Sequence, residues 1–205
     1  MSDSTAGRPR VDTSKRTWLI ASGCAGAVGG VAVAVPFVST FQPSERAKAA
    51  GAPVEVDISG LQAGEKMTVE WRGKPVWILR RTPEQLAELP KLDGQLADPQ
   101  SKRNPDEFTP PYARNEHRSI KPEVLVVVGI CTHLGCSPTD KFTPGPQPSL
   151  PEDWAGGFLC PCHGSTFDMA GRVYKNKPAP DNLRVPPHMY VSDTKLVIGE
   201  DKKEA

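Results

Sequence analysis

The chain has 205 residues, with Lys+Arg 25 against Asp+Glu 24, a formal net charge of +1, and 38% hydrophobic against 24% charged side chains. That balance suits one ordinary globular domain, or a small one with appendages, and excludes a polytopic membrane protein; without a basic surplus there is no electrostatic case for nucleic-acid binding. Proline at 22 and glycine at 18 make up about a fifth of the residues, which favours short strands and rigid loops over long soluble helices.

Residues 1–16 carry Arg8, Arg10, Lys15 and Arg16 against Asp3 and Asp12. Between Thr17 and Ser44 there is no charged side chain, and the centre from Trp18 to Val38 is mostly Ala, Val and Gly. About 20 such residues cross a bilayer as a helix, so a transmembrane helix is predicted over 17–41. The run is longer than the apolar part of a signal peptide, usually about 7 to 15 residues, and reads as a retained anchor. The positive flank puts residues 1–16 in the cytoplasm and the rest of the chain on the far side of the membrane. Ser14-Lys-Arg-Thr-Trp-Leu19 resembles the twin-arginine export motif, with Lys15 in place of its first arginine. Gly26 and Gly30 form one GxxxG, and Cys24 reads as a small buried residue of the apolar helix.

Residues 42–53 have few large apolar side chains and read as a flexible hinge. After them, Val54–Ile58 and Met67–Trp71 alternate apolar with polar residues, and Pro75–Leu79 follows; all three are strand-like. Thr82-Pro-Glu-Gln85 is a capping box with proline at the first helical position, opening a short helix to about Leu89. Residues 93–119 are polar and aperiodic, a long loop. Glu123–Ile130 is a buried-type strand running straight into a cysteine motif, and further strands are expected at 172–175, 188–192 and 195–199. His117 and His188 read as surface or packing histidines. The loop Thr143–Pro151 reads as a stiff surface connector.

The chemistry is concentrated in Cys131-Thr-His133-Leu-Gly-Cys136 and Cys160-Pro-Cys162-His163-Gly-Ser165. Each places a cysteine and a histidine within three residues, so that one tight loop can aim both at a common centre. Two loops then offer two thiolates and two imidazoles. That donor set satisfies tetrahedral zinc as well as an iron-sulfur cluster. A thiol-exchange enzyme would want CxxC, which the chain lacks.

These paired motifs, with the apolar anchor before them, resemble the Rieske iron-sulfur proteins, and among them the membrane-anchored iron-sulfur subunits of bacterial ubiquinol-cytochrome c reductases. The resemblance covers nearly the whole chain. It implies an all-β Rieske domain over 54–205, preceded by one N-terminal transmembrane helix, with a small inserted cluster-binding subdomain at about 129–183. It implies one 2Fe-2S cluster, with Cys131 and Cys160 on one iron and His133 and His163 on the other, and a disulfide joining Cys136 to Cys162. Ser165 matches the serine whose hydroxyl donates to a bridging sulfide, and Pro178-Ala-Pro180 matches the loop that covers the cluster, with Lys177 where the family usually has glycine. Phe167 stands where many quinol-oxidising relatives have a tyrosine.

The implied function is that of a catalytic subunit that accepts one electron and a proton from ubiquinol and passes the electron to a c-type cytochrome, contributing to proton translocation. His163 and His133 are the quinol-facing ligands by that resemblance, and Leu134 belongs to the docking surface. The implied partners are a b-type and a c-type cytochrome in a dimeric complex of the bacterial inner membrane, with the Rieske domain periplasmic. Two other readings are a Rieske subunit of another exported oxidoreductase, such as an arsenite oxidase, and a membrane-anchored zinc module.

Overall fold

The computed structural model describes residues 12–103 and 108–201, and the chain divides into two units, Met1–Lys48 and Ala49–Ala205. Arg8, Arg10 and Asp3 of the charged N-terminal segment lie outside the described residues.

The first unit is dominated by α1, Thr13–Ser39. Asp12 caps it, its carboxylate accepting from the Ser14 and Lys15 backbone N–H groups at 3.1 and 3.2 Å, which satisfies two of the donors a helix start leaves unpaired. The helix begins four residues before the predicted span, because Asp12 and not the first apolar residue sets its start. Its most apolar 18-residue window has a mean hydropathy of 1.8, and at about 1.5 Å per residue the 27 residues exceed the roughly 30 Å of a bilayer core. The large apolar side chains, from Trp18 at 73% to Phe41 at 77%, are exposed. Such a helix, apolar on every side, suits lipid rather than water.

The stretch read as a hinge contains a short helix, α2, Glu45–Ala50, with Lys48 paired to Glu45 at 2.7 Å.

Among the described residues the second unit holds three antiparallel sheets of three strands each, with strands β1 (Val54–Asp57), β2 (Lys66–Trp71), β3 (Lys74–Arg80), β4 (Val124–Val128), β5 (Thr139–Lys141), β6 (Gly157–Leu159), β7 (Thr166–Phe167), β8 (His188–Tyr190) and β9 (Lys195–Ile198). The orders are β1-β9-β8, β2-β3-β4 and β5-β6-β7. Val54 opposes Ile198, so the first and last strands of the domain pair and close it. Arg72 and Gly73, at φ 52° and 68°, form the two-residue turn between β2 and β3, the left-handed geometry that matches hairpin twist. The capping box opens α3, Pro83–Glu88: Gln85 N–H donates to Thr82 Oγ1 at 3.3 Å and Thr82 N–H donates to Gln85 Oε1 at 2.9 Å.

The central β2-β3-β4 sheet separates two cores, because side chains alternate across a strand. Val76, Ile78, Val124, Val126 and Val128 face Val56, Leu196 and Ile198 of the terminal sheet. Trp77, Leu79, Leu125 and Val127 face the other way, onto Phe158, Phe167, Met169 and the two cysteines Cys131 and Cys160. Trp77 stacks on Phe158 at 5.1 Å between ring centroids, and a side chain on Gly129 would overlap the Trp77 ring. Each buried residue of this size contributes roughly 1.5 to 3 kcal/mol. The cysteine motifs are therefore backed by the main core.

Two sequence expectations change. Residues 172–175 are not a strand; Val173 and Tyr174 make isolated bridges to Phe167 and Leu96. Arg172, Val173 and Tyr174 are all buried, so the segment serves the core without a ladder. The segment 93–119, read as a plain loop, includes the end of a 3-10 helix (Leu89–Gln95), another 3-10 turn (Pro111–Ala113) and the fully buried Arg118. Arg118 donates to Ser101 Oγ, Thr109 Oγ1 and the carbonyls of Ala170, Gly171 and Leu183, all at 2.7 to 3.1 Å. Burial pulls its guanidinium down to about 10, still protonated at neutral pH.

Candidate functional site

Both cysteine motifs fold into the same turn. In the first, Cys131 N–H donates to Cys136 O at 2.8 Å and Gly135 N–H donates back to Cys131 O at 3.1 Å; in the second, Cys160 N–H donates to Ser165 O at 2.7 Å and Gly164 N–H to Cys160 O at 3.0 Å. Gly135 and Gly164 occupy the same position of the turn at φ 84° and 73°. A side chain there would meet no protein atom within 4 Å, so glycine is required by the left-handed backbone and not by crowding among protein atoms. Cys131 follows β4 after Gly129 and Ile130, and the second turn lies between β6 and β7, so sheet elements fix where both turns sit.

The Cys136–Cys162 disulfide joins the turns. Cys131 and Cys160 remain free and buried, at 2% and 1% exposure. Burial pushes the Cys131 thiol up, the adjoining Cys160 thiol pushes it the same way, and hydrogen bonds from the His133 backbone and the Ser165 hydroxyl pull it down. The rings of His133 and His163 stand edge to face, 4.7 Å between centroids. His133 is half-buried, its Nδ1 enclosed without a hydrogen-bond partner, while His163 is exposed. Leu134, next to His133 in the first turn, is 72% exposed.

The 178–180 loop is fastened to both turns. Ala179 N–H donates to the Ser165 hydroxyl oxygen at 2.9 Å, and the Thr132 hydroxyl donates to Asp181 O at 2.6 Å. Nothing in the sequence around Thr132 marks this role, which depends on a residue 49 positions away. Ser165 is fully buried. Its oxygen accepts from Ala179, which leaves its proton to point at sulfur.

Distance alone would select Cys136, Cys160 and Cys162, whose sulfurs lie within 4.8 Å of one another. Two of them are spent in the disulfide, so that trio is no thiolate set. What remains for iron is two buried free thiols and an imidazole nitrogen, His133 Nδ1, that otherwise lacks any partner. This donor set fits a cluster with sulfur on one iron and nitrogen on the other. A cleft of about 440 Å³ between α3 and the inter-motif loop, walled by Phe142 and Trp154, contains none of these residues. His188 is buried, its Nδ1 2.9 Å from Pro186 O, and packs on Tyr112; His117 pairs with Glu116 at 3.1 Å. Both lie outside the two motif turns.

Two family models match the chain: the Rieske 2Fe-2S domain over residues 53–187, and the ubiquitinol-cytochrome C reductase Fe-S subunit TAT signal over residues 12–44. The ubiquinol-cytochrome c reductase iron-sulfur subunit of Allochromatium vinosum is 54% identical over 193 residues, covering 93% of this chain and 90% of that one. That of Bradyrhizobium diazoefficiens is 44% identical over 181 residues, 88% and 90% respectively. Among solved structures, a chain of a hyperthermophilic respiratory Complex III is 28% identical with a TM-score of 0.46, covering 86% of this chain and 97% of that chain.

Proposed function

Because the chain belongs to the Rieske 2Fe-2S family, as a ubiquinol-cytochrome c reductase iron-sulfur subunit, we propose that it takes part in catalysis by accepting an electron and a proton from ubiquinol and delivering the electron to a c-type cytochrome. It is an oxidoreductase subunit with one 2Fe-2S cluster and a single N-terminal anchor helix. The observation that carries the finer reading is the convergence of two buried free thiols and two adjoining imidazoles on a pair of matching turns.

Cys131 and Cys160 would hold one iron, and His133 through Nδ1, with His163, the other. Bound there, the cluster supplies a one-electron acceptor at roughly −150 to +300 mV, because two neutral imidazoles in place of anionic thiolates make it less negative than an all-cysteine centre.

The chain's own residues do the rest. His163, exposed, offers its outer nitrogen to the quinol hydroxyl and receives the proton there. Exposed Leu134 provides an apolar contact beside it. The 178–180 loop, tied to both turns, and the Cys136–Cys162 bond keep the ligand turns in register. In this reading residues 1–16 are cytoplasmic, α1 spans the inner membrane of a bacterium, and residues 42–53 tether a periplasmic domain over 54–205. The tether lets the domain move between a b-type cytochrome, where quinol is oxidised, and the c-type cytochrome, in a dimeric complex.

Metal analysis and low-temperature EPR of the reduced complex test the ligand set. An average g below the free-electron value, lost on Cys131→Ser or His163→Ser, supports it; zinc without acid-labile sulfide rejects it. Reduction by ubiquinol in membranes, blocked by quinol-site inhibitors, separates this role from that of an arsenite oxidase-like Rieske subunit.

A further inference from the structure

The three sulfurs of Cys136, Cys160 and Cys162 lie within 4.8 Å of one another, although only Cys136 and Cys162 are bonded. The turn itself creates this crowding. Cys160 opens it and Cys162 follows two positions later, so a free thiol and one end of the disulfide share a single turn, and the disulfide draws Cys136 into the same space. Thiol-disulfide exchange needs a thiolate behind one sulfur of the bond and no outside oxidant.

We propose that Cys160, once freed of iron, attacks Cys136 Sγ, forms a Cys136–Cys160 disulfide and releases Cys162. One S–S bond forms and one breaks, and the proton lost by Cys160 ends on Cys162. Burial gives the direction. Cys160 is 1% exposed whereas Cys162 is exposed, so the exchange moves the free thiol from an apolar core into water, where the leaving thiolate is solvated. Attack on Cys162 instead would join two residues of one hydrogen-bonded turn and release the half-buried Cys136. The product still links both turns but consumes a sulfur needed for the first iron. Loss of the cluster is then self-sealing, and the disulfide must close after the cluster is in place.

This inference rests on the assignment of Cys131 and Cys160 as ligands, and the test separates the two. The full-length, cluster-loaded chain in detergent is treated with N-ethylmaleimide under argon, before and at intervals after iron is removed by a chelator at about pH 8.5, and its disulfides are mapped by peptide mass spectrometry. Before removal, Cys131 and Cys160 stay unlabelled; label on Cys160 at that stage overturns the ligand assignment. After removal, the Cys136–Cys160 peptide exceeds the Cys136–Cys162 peptide by about tenfold or more, with label on Cys131 and Cys162. Reconstitution with iron and sulfide then fails unless dithiothreitol is added first. Persistence of Cys136–Cys162 with label on Cys160, or a new Cys131–Cys160 or Cys160–Cys162 bond, overturns the inference.

Discussion

Replacing Arg118 by methionine tests whether the buried guanidinium holds the site together. The side chain is 0% exposed and makes five hydrogen bonds, three of them to the carbonyls of Ala170, Gly171 and Leu183. Methionine fills most of the volume but donates nothing. The Ser101 and Thr109 hydroxyls can turn to other partners, and Gly171 O keeps the Leu183 N–H at 2.8 Å, whereas the Ala170 and Leu183 carbonyls are left buried without a donor, each costing about 1 to 3 kcal/mol. Arg118 itself sits at φ 50° and its partner Ser101 at φ 52°, left-handed positions worth about 1 to 2 kcal/mol each for a non-glycine residue, which the network holds in place. Against this, the buried charge is removed, which returns part of its desolvation cost. The balance is a loss of about 4 kcal/mol, and at a slope of about 2 kcal/mol per molar urea the unfolding midpoint falls by about 2 M. Arg118→Lys keeps the charge and some donors and falls about half as far. The assay is urea titration of the detergent-solubilised chain, following tryptophan fluorescence and the visible absorbance of the cluster together. A midpoint for Arg118→Met within 0.3 M of the parent, on a fluorescence scale that detects the Lys variant, refutes the network's role.

Removing the disulfide with Cys136→Ser and Cys162→Ser together opens a loop of sequence separation 26; the chain-entropy model gives about 3.5 kcal/mol, or a thermal midpoint lower by about 10 °C in calorimetry, and an unchanged midpoint contradicts it. Phe167 is fully buried in the core that contains Cys131 and Cys160, so Phe167→Tyr brings a hydroxyl donor toward ligand sulfur and raises the cluster's midpoint potential by a few tens of mV in film voltammetry; a lower potential argues against that placement. Burial lowers the pKa of His188, with a Pro186 contact and Asp201 pulling the other way. Its neutral form is favoured in the folded chain, so its contribution is present above the unfolded value of about 6.5 and is lost as pH falls below it. His188→Phe therefore flattens the decline of the urea midpoint between pH 7 and 5, and an equally steep decline in the variant counts against the assignment.

The chemistry-bearing turns were legible from the chain because their information is local. A cysteine, a histidine and a left-handed glycine within six residues define each turn whatever packs behind it. The apolar anchor, the capping box at Thr82 and the strand leading to Cys131 were legible for the same reason, since length, period and a single hydrogen-bonded box all lie within a short window. The strands β5 to β7 were not. They are two or three residues long, too short for a period, and exist because Gly157 lets β6 approach the Phe167 backbone without a side chain between them.

Only the tertiary structure decided which polar residues are inside. Arg81, Arg118 and Arg172 look like surface charges along the chain, yet each is at most 2% exposed, and Arg172 meets Asp168 at 2.7 Å. Asp168 apart, most of their partners lie far along the chain, such as Met169 O for Arg81, Leu183 O for Arg118 and Leu89 O for Arg172, so no local pattern marks their burial. The same holds for Thr132 with Asp181, and for the free thiol of Cys160 beside a disulfide that begins 24 residues earlier. Composition and spacing fix which atoms are on offer in a turn. Which of them ends in water, in the core or against another sulfur is set by long-range packing, because burial is a property of the whole domain and not of any window of sequence.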